Sequence, residues 1–167
     1  GNWDTGLPIS PAISVVDVQV EVLEIDSVVI DGFQHTWAGD VQAVLFDPTG
    51  VGYNLILRPG YQNPDGANFG TPGNFVDGTY TIVENGGASL PTLSDGADIQ
   101  PGTYNQSSST GAVTWTSGNH NINNTPLGSI TGPSGFWELR VYDWGVGDNG
   151  SFTGWTLNGN GGASGEN

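Results

Sequence analysis

From Ile13 to Ile25 apolar and polar residues alternate. Val16, Val18, Val20 and Val22 fall on one side, and Asp17, Gln19 and Glu21 on the other. A period of two carried by β-branched side chains predicts a strand with one face buried and one in water. Val28–Ile30 reads as a short strand, and Val41–Phe46 is apolar on both sides except at Gln42, as a central strand would be. Tyr53–Leu57 follows a Pro48-Thr49-Gly50 turn. The stretch Arg58 to Asp77, dense in Asn, Asp, Gly and Pro, predicts a long irregular connection. Tyr80–Val83, Ala97–Gln100, Ala112–Trp115, Phe136–Tyr142 and Phe152–Leu157 complete the set of strands. No window of ten or more residues carries a 3.6 period. Short strands at regular spacing, separated by turn chemistry, predict an all-β fold, a sandwich or a barrel. No repeat or linker divides the chain. Residues 1–12 read as a lead-in segment, 13–157 as one β-domain and 158–167 as a flexible Gly/Asn-rich tail.

Composition sharpens this picture. The 167 residues include 28 Gly and 10 Pro, a bias that by itself borders on low complexity. Against it stand 6 Trp, 5 Tyr and 6 Phe, enough to build a core. With strands between the turns, the Gly and Pro residues become turn material. The 17 acidic residues face two arginines and no lysine, a net charge of −15. Such a chain lacks the basic footprint needed to hold nucleic-acid phosphates, and anionic membrane surfaces repel it. No apolar run approaches the roughly 20 residues of a membrane-spanning helix. Without cysteine there is no disulfide framework and no thiolate metal site. Methionine is absent even at position 1 and no signal peptide is present, so the expectation is a processed chain or excised domain, exported to a salty or calcium-rich medium. The sequons at Asn105, Asn123 and Asn149 weigh little in so Asn-rich a sequence.

Two segments carry more than pattern. The first is His35-Thr36-Trp37-Ala38-Gly39-Asp40, followed by an apolar strand and Asp47-Pro48-Thr49-Gly50. The second is Gly135-Phe136-Trp137-Glu138-Leu139-Arg140-Val141-Tyr142-Asp143, then Gly147-Asp148-Asn149-Gly150-Ser151, then Gly154-Trp155-Thr156-Leu157. In this order and spacing they resemble the P domain (homo B domain) that follows the catalytic domain of kexin- and furin-like proprotein convertases. Similar domains occur in bacterial secreted proteases and surface proteins. The family pattern is H-T/S-W-x-G-D, a strand, P-x-G, then G-x-W-x-L-x-V-x-D, G-D-x-G and a closing W-x-L. Every element is present over roughly residues 13 to 157. Asn74-Phe75-Val76-Asp77 and Pro101-Gly102-Thr103-Tyr104 resemble the middle section more loosely. Val41 stands where Leu usually follows the Asp, an apolar swap. The resemblance implies a jelly-roll β-sandwich of about eight to nine antiparallel strands, galactose-binding-like. Its role would be that of an accessory module, secreted or at the cell surface, that stabilises or positions a neighbouring protease-type domain.

In that fold the motif residues have structural work. Trp137, Leu139 and Val141 share one face of a strand, and Trp155 with Leu157 repeats the pattern. Gly147-Asp148-Asn149-Gly150 reads as a hairpin-type turn. His35 and Asp40 are expected to hydrogen-bond the chain as it enters a central strand. Nothing reads as a catalyst. There is no Gly-Thr-Ser or G-x-S-x-G nucleophile turn, and His120 lies in a polar run. Asp4-Thr5-Gly6 matches the aspartic-protease triplet but lacks the apolar strand before it. Two distant histidines without H-E-x-x-H leave zinc no ligand set.

Calcium, which takes six to eight oxygens from loop carboxylates, amides and carbonyls, suits the charge better. The candidate clusters are Glu24, Asp26 and Asp31; Asn63, Asp65, Asn68 and Asp77; and Asp143, Asp148 and Asn149. Asp65 and Asp77 form the first pair, in the longest loop. Turn capping by Asp and Asn is the competing explanation of each cluster. A carbohydrate-binding or adhesion module is the alternative function, with Trp144 and Tyr61 as the aromatics that would stack on sugar faces. No coiled-coil or swapped segment is read, and a monomer is expected.

Overall fold

A computed structural model describes residues 9–61, 70–92, 96–107, 121–145 and 147–162. The described residues form ten strands and two short 3-10 turns. The strands are β1 (Ile9–Val18), β2 (Val22–His35), β3 (Val41–Phe46), β4 (Val51–Leu57), β5 (Phe75–Val83), β6 (Gly102–Asn105), β7 (Asn121–Asn123), β8 (Gly135–Asp143), β9 (Gly150–Ser151) and β10 (Gly154–Gly161). They make two mixed five-stranded sheets. One has the order β1-β8-β3-β4-β7, and the other β10-β2-β5-β6 with β9 also paired to β2.

The alternation seen in the sequence places side chains of both sheets in one core. Val28, Ile30 and Phe33 of β2, with Tyr80 and Ile82 of β5, meet Ala43 and Leu45 of β3 and Trp137 and Leu139 of β8, all essentially fully buried. Removing a side chain of this size from water contributes roughly 1.5–3 kcal/mol. Tyr80 meets Phe33 and Phe75 edge to face at centroid distances of 5.5 and 5.4 Å, an arrangement ring quadrupoles favour, and the two phenylalanines lie tilted at 5.0 Å. Trp137 adds an indole hydrogen bond from Nε1 to the Pro133 carbonyl, at 3.0 Å. This all-β, two-sheet architecture is compatible with a β-sandwich.

The outer face of the first sheet is also covered. Val44, Phe46, Leu57, Tyr61, Ile122, Tyr142 and Trp144 form a second buried cluster there, which is why β3 is apolar on both sides. The β3–β4 hairpin is closed as its sequence suggests. Oδ1 of Asp47 accepts from Thr49 N, Thr49 Oγ1 and Val51 N at 2.8, 2.7 and 3.1 Å.

Several expectations are corrected. The alternating run Ile13–Ile25 is not one strand: the chain leaves the first sheet after Val18 and joins the second at Val22. Val28–Ile30 is the middle of the 14-residue β2. Its apparent end at Asp31-Gly32 is a register shift against β5, where Gly32 at φ 58° packs its backbone against Thr153. Not all strands are antiparallel, because β4–β7 and β5–β6 pair in parallel across long connections. Ala97–Gln100 makes only a bridge from Ile99 to Phe75. Asn158–Gly161, expected to be tail, extends β10 along β2, and the Asn158 and Asn160 side chains bond Ser27 and Glu24. Ala112–Trp115, His120 and Asp4-Thr5-Gly6 lie outside the described residues.

Candidate functional site

The two distant motifs come together at one end of the sheets. β2 ends at His35, and β8, in the other sheet, ends at Asp143. His35 Nε2 lies 3.1 Å from Asp143 Oδ2, joining residues 108 apart in sequence. On the other side of the ring, Nδ1 lies 3.0 Å from the Trp37 carbonyl oxygen and 3.1 Å from the Trp37 amide nitrogen, so both ring nitrogens have polar partners. The other oxygen of Asp143 accepts from Gly145 N at 3.0 Å. Thr36 Oγ1 donates to Asp148 Oδ1 at 3.0 Å and accepts the Asn149 amide at 3.0 Å. Gly150 begins β9 opposite His35. Each polar motif residue here holds backbone or a neighbouring motif residue.

The turn Trp37–Asp40 then feeds β3. Asp40 is 2% exposed, and its amide and carbonyl close against Trp37 and Trp144 at 3.0 and 2.9 Å. Gly145 is required for this packing, since a Cβ there would overlap the Asp40 carboxylate, 2.2 Å from Oδ2. Oδ1 of Asp40 is buried, makes no hydrogen bond and faces Arg58 Nη2 across 3.7 Å. Burial, then the Asp143 carboxylate, push the Asp40 carboxyl up to about 7, against the pull of Arg58. Arg58 is itself 1% exposed, and burial draws its guanidinium down to about 10. Nε of Arg58 donates to the Gly39 carbonyl at 2.7 Å, and the guanidinium lies 4.0 Å from the centroid of the Tyr61 ring.

Trp144 and Tyr61 therefore offer no sugar platform. Trp144 is fully buried in the outer cluster, with Nε1 donating to Gln42 Oε1 at 2.9 Å, and Tyr61 lies under Arg58. The relay continues from Gln42 Nε2 to Asn54 Oδ1 and from Asn54 Nδ2 to Asn124 Oδ1, both at 2.7 Å. A buried indole and a buried amide gain more from each other than the ring would gain at the surface. Trp144→Phe should cost about 2 kcal/mol in a denaturant melt by stripping the donor from Gln42. A loss near zero would show the relay to be energetically idle.

The calcium candidates lie only partly among the described residues. Asp77 sits on β5 with its side chain exposed, not in the long loop, and Asp65 and Asn68 lie outside the described residues. Asp143 accepts from His35 and Gly145, and Asp148 accepts from Thr36, so both carboxylates already hold the motif segments together. Among the described residues no three His, Asp or Glu side chains form a metal-binding group. Sequence reasoning missed Arg58, Asn54 and Gln106. Gln106 bonds Asn54 O, Thr125 O and Leu127 N at 2.7 to 2.8 Å. Gln42, the lone polar residue in an apolar strand, was the available signal for this buried network, and Arg58, one of two cations in the chain, was the signal for the other.

Comparison of the chain with protein-family models, with curated proteins and with solved structures finds no match.

Proposed function

We propose that this chain is a non-catalytic P-domain-like module of jelly-roll, galactose-binding-like type. It would be exported as part of a secreted or surface protein and stabilise or position a neighbouring protease-type domain. The observation that carries this reading is the use made of the motif residues. His35, Thr36, Asp40, Asp143 and Asp148, which a catalyst would keep accessible, bond one another or the backbone and bind two sheets at one end. A module whose polar signature is spent on shape works through its surface, and an interface of stable size buries roughly 800 Å² on each partner. The encoding reading frame tests this. A subtilisin-like catalytic domain immediately upstream supports the reading, and an upstream region without any folded domain removes it.

A structural calcium ion belongs to the same proposal, supported by the net charge of −15 and by the Asp and Asn residues of the long stretch from Arg58 to Asp77, with Asp65 as the first candidate ligand. With saturating calcium the melting midpoint should rise, since a ligand at 100 times its Kd adds about 2.7 kcal/mol to the folded state. A midpoint indifferent to chelator would remove the ion from the proposal.

A further inference from the structure

Where β1 and β8 of one sheet face β2 and β9 of the other, a cavity of about 190 Å³ opens to solvent. It is small, below the roughly 300 Å³ at which pockets for drug-sized ligands begin, and room for one extended side chain. Phe33, Val141 and Phe152 supply apolar wall, while His35, Asp143 and Asn149 supply polar groups. The Asp143 side chain is 22% exposed, so its carboxylate is partly withdrawn from water where attraction to a cation is strengthened. Among the described residues it accepts two hydrogen bonds, from His35 and Gly145, which use half of the roughly four lone-pair positions of a carboxylate. No Lys or Arg lines the cavity. The two arginines of the chain are engaged elsewhere, Arg58 with Asp40 and Arg140 with Glu138 and over the Phe46 ring.

We propose that this cleft receives a single basic side chain, lysine or arginine, presented by a partner chain. The cationic head would meet Asp143, and the aliphatic stem would lie along Val141 and the two phenylalanine rings, the division such side chains favour. Charge selects the partner. At −15 the module repels a second copy of itself and attracts a basic surface, so the occupant comes from a different protein or domain. That the donor is the neighbouring domain rests on the accessory-module reading. The chemistry of the cleft does not.

The test is an NMR titration of the full chain with N-acetyl-arginine methylamide and with the lysine analogue, at neutral pH. Backbone amides from Asn149 to Phe152 should shift saturably. N-acetyl-citrulline methylamide, of the same shape but uncharged, should bind at least about tenfold more weakly. Asp143→Asn should lose the preference for charge. Ala12→Trp, which fills the cleft from its exposed β1 rim and leaves the His35–Asp143 pair intact, should abolish the shifts. Equal binding of the citrulline compound, shifts spread over the acidic surface, no saturable shifts, or full binding by a folded Ala12→Trp would each overturn the proposal. None of these outcomes depends on whether a protease-type domain lies upstream.

Discussion

Arg58→Met is expected to destabilise the protein by about 3–5 kcal/mol at pH 8, the cost of leaving a buried charge without its partner. The replacement keeps the apolar stem, so the loss reports on the guanidinium. Arg58 is 1% exposed, bonds the Gly39 carbonyl at 2.7 Å, and is the cation facing Asp40 at 3.7 Å. Without it Asp40 would be a buried carboxylate beside two others, Asp143 and Asp148, that already repel it. For a chain of this length a loss of that size lowers the melting midpoint by about 10 °C. The same comparison at pH 5 should give a visibly smaller loss, because there Asp40 is protonated and its ion pair with Arg58 no longer contributes. Equal losses at the two pH values would mean that the ion pair has no energetic part in holding this turn.

The second large effect is the pH dependence that Asp40 imposes on the native protein. Its carboxyl stands at about 7 in the fold against an ordinary value of 3.8. Between those values the folded state holds a proton that the unfolded chain has released, so stability falls as pH rises. The contribution is complete below about pH 4 and gone above about pH 7. With about 1.4 kcal/mol for each unit of separation, and with solvent at the mouth of the site reducing the sum, the decline is about 2 to 4 kcal/mol. Asp40→Asn, which cannot ionise, should flatten this portion of the profile and be more stable relative to wild type at pH 8 than at pH 4. The general repulsion of an acidic surface acts on both proteins and drops out of the difference. Denaturant midpoints measured for both across that range decide the matter, and parallel curves would assign the pH dependence to other groups.

What could be read from the sequence depended on which physical quantity the pattern encodes. Alternation at Val16, Val18 and Val22 correctly reports sides facing a core, and Trp137, Leu139 and Trp155 are buried where their spacing puts them. Alternation does not report sheet membership. A core between two sheets lets the same inward rhythm continue while the chain passes from β1 to β2, so one strand was expected where there are two. The polar pair Asp31-Gly32 marks a register shift inside β2, and composition does not distinguish a bulge from an end. Parallel pairing of β5 with β6 leaves no local mark, because the Asn85-Gly86 turn after β5 and the Pro101-Gly102 turn at the start of β6 do not tell which strands will pair. At the candidate site, the meeting of His35 with Asp143 follows from the paired motifs. The burial of Trp144 does not, since its fate depends on Gln42 and Asn54, far away in sequence and close only in the folded protein.

The strand order of the first sheet has a further consequence, for how the protein is made. β8 lies between β1 and β3, and β10 flanks β2 on the edge of the other sheet. A nascent chain ending before Gly135 has its first and third strands in hand with no neighbour to join them, and β2 has one flank open. The apolar faces of β1, β2 and β3 therefore wait, unprotected, for the segment from Gly135 onward to be synthesised. Native pairing of this kind closes large loops before it is rewarded, which slows folding. Whatever handles the chain before β8 and β10 are made handles it open, and those strands act as the keystone that ends its exposure to aggregation.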